Sequence, residues 1–353
     1  MALSILLLIG LATAIFVGIN IGGSSTGVAF GPATGSGILS MRQAGALMAV
    51  FVLLGGVTVG THVVKTLGSE FVPPKHFTIG ASIGVLLFTG LGILLGNYLK
   101  VSVSTSETAV GAVVGMGAAL GVLDWQTVGI VVSWWFLSAV IAFWVSAVVG
   151  RYFYHRIVEV LDIREGRRGV VGKGLVIAIG CYMAFSAGAS NTANAVAPLV
   201  GSNQLSMGAG VIIGGVAIGI GGFLIGPRTM ETIGEGVTDL SIEAALIVEV
   251  IAATIITGLS WGGIPASLAI TATTCVIGLG WGRASRQVTL AESFDPRQDE
   301  QLTGDMGDDQ PRVTDLYSPD INKRIISAWF ATPTVAGVLA YVVFEIALRL
   351  NLM

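Results

Sequence analysis

The feature that most constrains this chain is how far it runs without a charge. Residues 1–41, 43–61, 77–99, 125–150, 174–227 and 325–344 contain no Lys, Arg, Asp or Glu, and a helix needs about 20 apolar residues to cross the hydrocarbon core of a bilayer. Only 11% of the 353 residues are charged, against about 25% in an ordinary soluble domain. A soluble globular enzyme is excluded, and the chain reads as an all-α polytopic membrane protein. Its 50 glycines suit close helix contacts or interrupted helices in lipid.

Other classes fall away. The net charge is −3 and the basic residues form no stripe interleaved with aromatics, so nucleic-acid binding has no footing. Cys181 and Cys275 both lie in apolar stretches and read as packing thiols. Residues 1–20 lack a positive leader before Leu6, and the apolar run continues past any cleavage site. They read as the first spanning helix rather than a signal peptide. No catalytic activity and no cofactor are expected.

About ten crossings are predicted, near 3–21, 43–61, 77–97, 106–123, 127–150, 172–189, 207–226, 242–260, 265–282 and 324–348. With residues 151–173 in the cytoplasm, 15 of the 18 basic residues fall inside and only Lys65, Lys75 and Arg349 outside, as the positive-inside rule favours. Both termini are then extracytoplasmic. Five crossings per half with a cytoplasmic connector turn the second half upside down relative to the first, and the sequence repeats accordingly. GGSSTGVAFGPA at 22–33 lies over GASNTANAVAPL at 188–199, an offset of 166. The same offset sets 60–68 over 226–234. Further on, Ser104 matches Ser267 at an offset of 163, and Ser133-Trp134-Trp135 matches Ser327-Ala328-Trp329 at 194. Inverted repeats of this kind are a mark of secondary transporters.

The expected organisation is a first repeat at 1–164, the first part of a second at 165–282, an acidic insertion at 283–320 and a last helix at 321–353. Between 291 and 320 there are nine acidic and two basic residues, so the insertion reads as a disordered, solvated cytoplasmic loop.

Transporters of this kind place their site at the midplane, where interrupted helices offer backbone groups to a ligand. The two repeated strings sit in charge-free runs of 41 and 54 residues, too long for one crossing. A helix that enters, unwinds and continues is expected in each. Half-helix N-termini favour an anion, and Ser24, Ser25, Thr26, Ser190 and Thr192 add hydroxyl donors. Asn20, Asn191 and Asn194 can donate to an anion or offer a carbonyl oxygen to a cation. A second constellation, 101–115, sets Ser104, Thr105 and Ser106 at a helix mouth as an oxyanion cradle, with Ser267 and Thr271 as the poorer counterpart. Glu107 and Glu249 are the deep acids, candidates for carrying a coupling ion. Arg228 and Glu231 read as a structural pair.

These strings resemble the inorganic phosphate transporter (PiT) family, whose duplicated signature reads roughly GANDxANAxGxxxGSG. The matching residues are GGSSTGVAFGPATGSG at 22–37, followed by Arg42-Gln43-Ala44, and GASNTANAVAPLVG at 188–201. The family's PVSTTHAxxGAxxG element resembles 102–115 and, more loosely, 264–278. Further echoes are ETIGEGVTDL at 231–240, the glutamate at Glu249, and Ser327, Trp329, Thr332 and Pro333. The resemblance implies sodium- or proton-coupled uptake of phosphate, with relatives that move sulfate, and a homo-oligomer in the bilayer.

The chain also departs from the pattern. The family's sodium-binding Asn-Asp pairs are here Ser24-Ser25 and Ser190-Asn191, Val28 stands at the second asparagine of the first copy, and Glu107 replaces a histidine. Two missing carboxylates weaken a site for a hard cation. Proton coupling through Glu107 or Glu249, or a different anion, gains ground. The sequence therefore points to alternating-access transport of an inorganic oxyanion, phosphate first, with a sulfate permease, an anion channel and a non-transporting sensor as alternatives.

Overall fold

A computed structural model describes residues 4–98, 103–161, 166–226, 241–285 and 319–350, of which 160–161, 166–168, 319–326 and 328 are described by their backbone alone. Among them there is no strand. Ten helical stretches follow one another. They are α1 (Ile5–Gly35), α2 (Met41–Gly55) running through two π-helical turns and α3 (Thr61–Lys65) to Glu70, α4 (Ile79–Tyr98) and α5 (Thr105–Ala119). Then come α6 (Trp125–Val148), continuing through a π-helical turn into α7 (Tyr154–Leu161), α8 (Gly166–Gly201) and α9 (Met207–Leu224). The last are α10 (Ile242–Trp261), α11 (Leu268–Ala284) and α12 (Pro319–Arg349). The Arg228 and Glu231 pair, and the acidic insertion from 286 to 318, lie outside the described residues.

Eight stretches are long and apolar enough to cross a membrane. The other two, α5 and α11, have 15 and 17 residues. At 1.5 Å per residue they reach about 22–26 Å, short of the roughly 30 Å hydrocarbon core. Each starts at a serine cap: Ser104 Oγ accepts from the Glu107 amide and Ser267 Oγ from the Ile270 amide, which stops the helix where its sequence changes.

The unwinding expected inside the repeated strings is absent. Both α1 and α8 run unbroken through 22–33 and 188–199. In α1 the hydroxyls of Ser24 and Thr26 turn back to the carbonyls of Ile21 and Gly22, so they satisfy the helix instead of competing with it. Pro32 and Pro198 lie inside the helices, three residues before their C-terminal ends at Gly35 and Gly201, so each removes one helix bond and the helix runs less than a turn beyond it.

The interruptions lie between α4 and α5 and between α10 and α11, and both are hairpins. Gly92 of α4 sits against Thr108 and Gly96 against Val103, so α5 folds back along α4. The chain enters α4 just after Phe71 and, on leaving α5, returns to it: the Asp124 amide donates to the Phe71 carbonyl at 2.9 Å. In the second hairpin the N-cap of α10, Ser241, meets Tyr154 Oη at 3.0 Å, and the Ser285 carbonyl after α11 accepts from Arg151. Asp124 caps one end of α6 and Tyr154 lies past the other. The two hairpins therefore enter from opposite ends of the bundle.

Close packing repeats at the sequence offsets. A Cβ on Gly22 would strike the Ile218 carbonyl, and one on Gly188 the Val52 carbonyl; Gly55 faces the Phe185 carbonyl and Gly221 that of Ile19. Each pair maps onto the other by 166 residues. Likewise Gly115 faces the Gly337 carbonyl and Gly278 that of Phe143, related by 163 and 194. Half-helix α5 thus packs on α12, and α11 on α6, each short helix on the last helix of the other half.

Because those glycines touch backbone that cannot yield, Gly22→Ala and Gly188→Ala should each destabilise the fold by about 1–3 kcal/mol. Gly31→Ala, which meets open space, should be near neutral. Thermal unfolding in detergent checks this; a neutral Gly188→Ala would contradict the packing.

Candidate functional site

The hairpin tips meet the repeated strings in a buried knot of neutral polar groups. Asn191 of α8 is its hub. Asn191 Oδ1 accepts from Thr105 Oγ1 at 3.0 Å, from Ser106 Oγ at 3.3 Å and from Asn194 Nδ2 at 3.3 Å. Its Nδ2 donates to Ser25 Oγ of α1 at 3.3 Å. Ser106 Oγ lies 3.3 Å from Ser190 Oγ and receives Asn194 Nδ2 at 3.2 Å. The tip of the second hairpin closes the group through backbone: the Ala266 carbonyl accepts from Ser190 at 2.7 Å and from Ser106 at 3.1 Å. Ser25, Thr105, Ser106, Ser190, Asn191 and Asn194 are all buried.

The folding of the two hairpins brings these groups together. Thr105 and Ser106 occupy the first turn of α5, with Ser104 spent on capping. Their amides add the positive end of a helix dipole to the knot. Residues 25 and 191 are repeat partners on α1 and α8, so their contact marks where the two halves cross.

The bond lengths are informative. Hydroxyl to oxygen bonds are usually 2.7–2.8 Å and amide bonds 2.9–3.0 Å. Apart from the Ser190 to Ala266 bond, those in the knot are 3.0–3.3 Å. Thr105, Ser106 and Asn191 are each a neutral hydrogen-bonding side chain able to donate to an oxygen. The knot holds no carboxylate, since Ser25 and Asn191 stand where the family signature has its acids.

Other residues singled out from sequence stand apart from the knot. Ser24 and Thr26 bond within α1, and Ser267 caps α11. Thr192 Oγ1 is buried without a partner and lies against Gly56 of the first π-helical turn. Asn20 accepts from Asn97 at the end of α4 through both its carbonyl oxygens, at 3.0 and 3.2 Å. Glu107 is half-buried in the first turn of α5. Glu249 is 4% exposed on α10, with Oε1 unpartnered, as is Asn194 Oδ1. Among the described residues no cluster of three or more His, Cys, Asp or Glu exists. The Ala266 backbone was missed from sequence, although GGIPAS at 262–267 contains it; a carbonyl leaves no mark in residue type.

A helical bundle with eight described stretches long and apolar enough to cross a membrane, and two short helices brought from opposite ends to one uncharged donor cluster, defines a membrane transport protein. The chain belongs to the phosphate transporter family, whose model matches residues 21–340. It is 35% identical over 256 residues to the sulfate permease CysP of Bacillus subtilis, covering 72% of each chain. It is 24% identical to a Pyrococcus furiosus protein that bears a provisional phosphate-permease name, covering 99% of this chain and 97% of that one. In fold it is similar to a solved structure described as the sodium-dependent phosphate transporter, with TM-score 0.75, 19% identity, and 98% and 100% of the two chains covered.

Asn191→Leu would leave the Thr105 hydroxyl buried without its acceptor and strip one of two acceptors from Ser106 and from Asn194. At about 1–3 kcal/mol for each unsatisfied group, it should lower thermal stability far more than Ser24→Ala. Equal shifts in a melting series would show that Asn191 is not the hub.

Proposed function

We propose that this protein is a secondary active transporter of a tetrahedral inorganic oxyanion, phosphate first, working by alternating access of its two halves about the Asn191 knot. One observation carries the reading: two half-helix hairpins of opposite entry converge on a buried group of neutral donors where α1 and α8 cross. The family and the provisional name of the Pyrococcus relative support phosphate.

A second reading, sulfate, is favoured by two observations. The Bacillus relative is named a sulfate permease, and the knot has no carboxylate. Hydrogen phosphate carries a proton that seeks an acceptor, whereas sulfate only accepts, so a cluster of donors suits sulfate well. Asn194 Oδ1, the unpartnered acceptor, is what would receive the proton of phosphate.

The coupling ion follows similar chemistry. Sodium is a hard cation that prefers charged oxygen ligands, and the knot supplies none. We assign coupling to a proton carried by Glu249 or Glu107, with sodium held by Asn20, Asn191 and Asn194 as the alternative. The arginine and lysine bias of the sequence supports both termini outside and the acidic insertion in the cytoplasm. The outward faces of α6 and α12, rich in exposed apolar residues such as Phe136 and Phe330, meet lipid or a second copy.

Uptake of radiolabelled phosphate and sulfate into proteoliposomes, with sodium or proton gradients imposed in turn, tests this. Saturable uptake of one anion driven by a proton gradient is expected, and no uptake of either would sink the proposal. Ser190→Ala and Thr105→Ala should cut uptake by about tenfold, the worth of one hydrogen bond of about 1.4 kcal/mol. Ser133→Ala, whose hydroxyl returns to Gly129 on an exposed face, should stay near wild type.

A further inference from the structure

Outside the knot, one side chain reaches the interrupted backbone that builds it. Trp135 lies midway along α6, a helix whose Phe136, Leu137, Val140 and Trp144 are exposed. Its own indole is half-buried. Nε1–H donates to the Pro265 carbonyl at 2.7 Å, a short bond for an N–H donor. Pro265 is buried at the tip of the second hairpin, one residue before Ala266.

The consequence passes along the chain. Ala266 touches the knot twice through its carbonyl, to Ser190 and Ser106, and once through its amide, which donates to Ser190 Oγ at 3.4 Å. A peptide unit is planar, so fixing the Pro265 carbonyl fixes the plane that carries the Ala266 amide. The tip is also held by the Gly263 and Ile264 amides, which donate to the Ser260 and Leu259 carbonyls, by the approach of Gly263, at φ 76°, to Thr66 of the second π-helical turn, and by the Ser267 cap of α11. Behind the tip, α11 rests on α6 through Gly278 on the Phe143 carbonyl and Gly282 on that of Ala147. Hairpin and α6 thus form one body, registered at the tip by the indole.

We propose that Trp135 is a positioning residue for the anion site: through Pro265 and Ala266 it sets the hydroxyls of Ser190 and Ser106, and so the affinity for the transported oxyanion. This rests on the transport reading above. The Trp135 indole touches no ligand itself. Its loss leaves a buried carbonyl unpartnered and frees the plane of the next amide, which loosens the cradle without removing any donor from it.

The test compares wild type, Trp135→Phe and Trp134→Phe as full-length proteins. Phenylalanine keeps an aromatic ring for packing and removes the N–H; Trp134, 38% exposed on the same helix, serves as control. Two readouts are taken: phosphate and sulfate uptake in proteoliposomes across anion concentration, and hydrogen exchange of peptides covering 263–271 without added anion. Trp135→Phe should raise the half-saturation concentration about tenfold, the loss of one buried hydrogen bond, with maximal rate per folded protein within about twofold. Its tip amides should exchange faster than in either other protein. A half-saturation within about twofold of wild type, or tip exchange no faster than in Trp134→Phe, overturns the proposal. If the wild type moves neither anion, the transport reading fails by itself, and the exchange comparison still decides whether Trp135 holds the tip.

Discussion

The structure depends on one bond between unwound backbone and a side chain: the Ala266 carbonyl accepting the Ser190 hydroxyl at 2.7 Å. Inside a bilayer a backbone carbonyl outside a helix has no water to turn to and would cost several kcal/mol unpaired. A hairpin tip can stand there only if the surrounding helices offer donors. Ser190, Ser106 and Trp135 do so for the second hairpin, and these donors also define the site. On the proposed function, the groups that let the chain break its helices are largely those assigned to the anion. A helix of ordinary apolar residues at α8 could not have tolerated the tip.

Glycine supplies the second condition. Helices gain no hydrophobic drive to associate in lipid and rely on close packing. Here the packing places glycine against carbonyl at repeated offsets, Gly22 with Ile218 and Gly188 with Val52 among them. That brings α1, α2, α8 and α9 near enough for side chains as short as serine and asparagine to bridge them. The contact between Ser25 and Asn191 is possible only at such separations. The pairing of α5 with α12 and α11 with α6 joins each hairpin to the opposite half, so motion of one half carries groups of the other.

Much of this was legible in the sequence, for identifiable reasons. Charge-free runs marked the membrane segments because charge in hydrocarbon is costly, and the duplicated strings marked the repeat because both copies meet the same packing demands. Ser190, Asn191, Thr105 and Ser106, which the fold brings into contact, were singled out by residue type. The reading went astray where type and conformation part company. Gly, Ser and Pro at 22–33 and 188–199 suggested unwinding, yet their role is close approach, with hydroxyls such as that of Thr26 bonded back into the helix. Segment 106–123 reads as a full crossing in hydropathy, yet α5 has only 15 residues, short of the length that spans the hydrocarbon core. Ala266 and Pro265 act through carbonyls, which every residue has.

The most direct measurement is a structure determined with an electron-dense tetrahedral anion, selenate or tungstate, in the membrane-reconstituted protein. The account predicts density within hydrogen-bond reach of Thr105, Ser106 and Asn191, with the loose bonds among them exchanged for bonds to the anion. Density elsewhere, with the Asn191 knot unchanged, would contradict it.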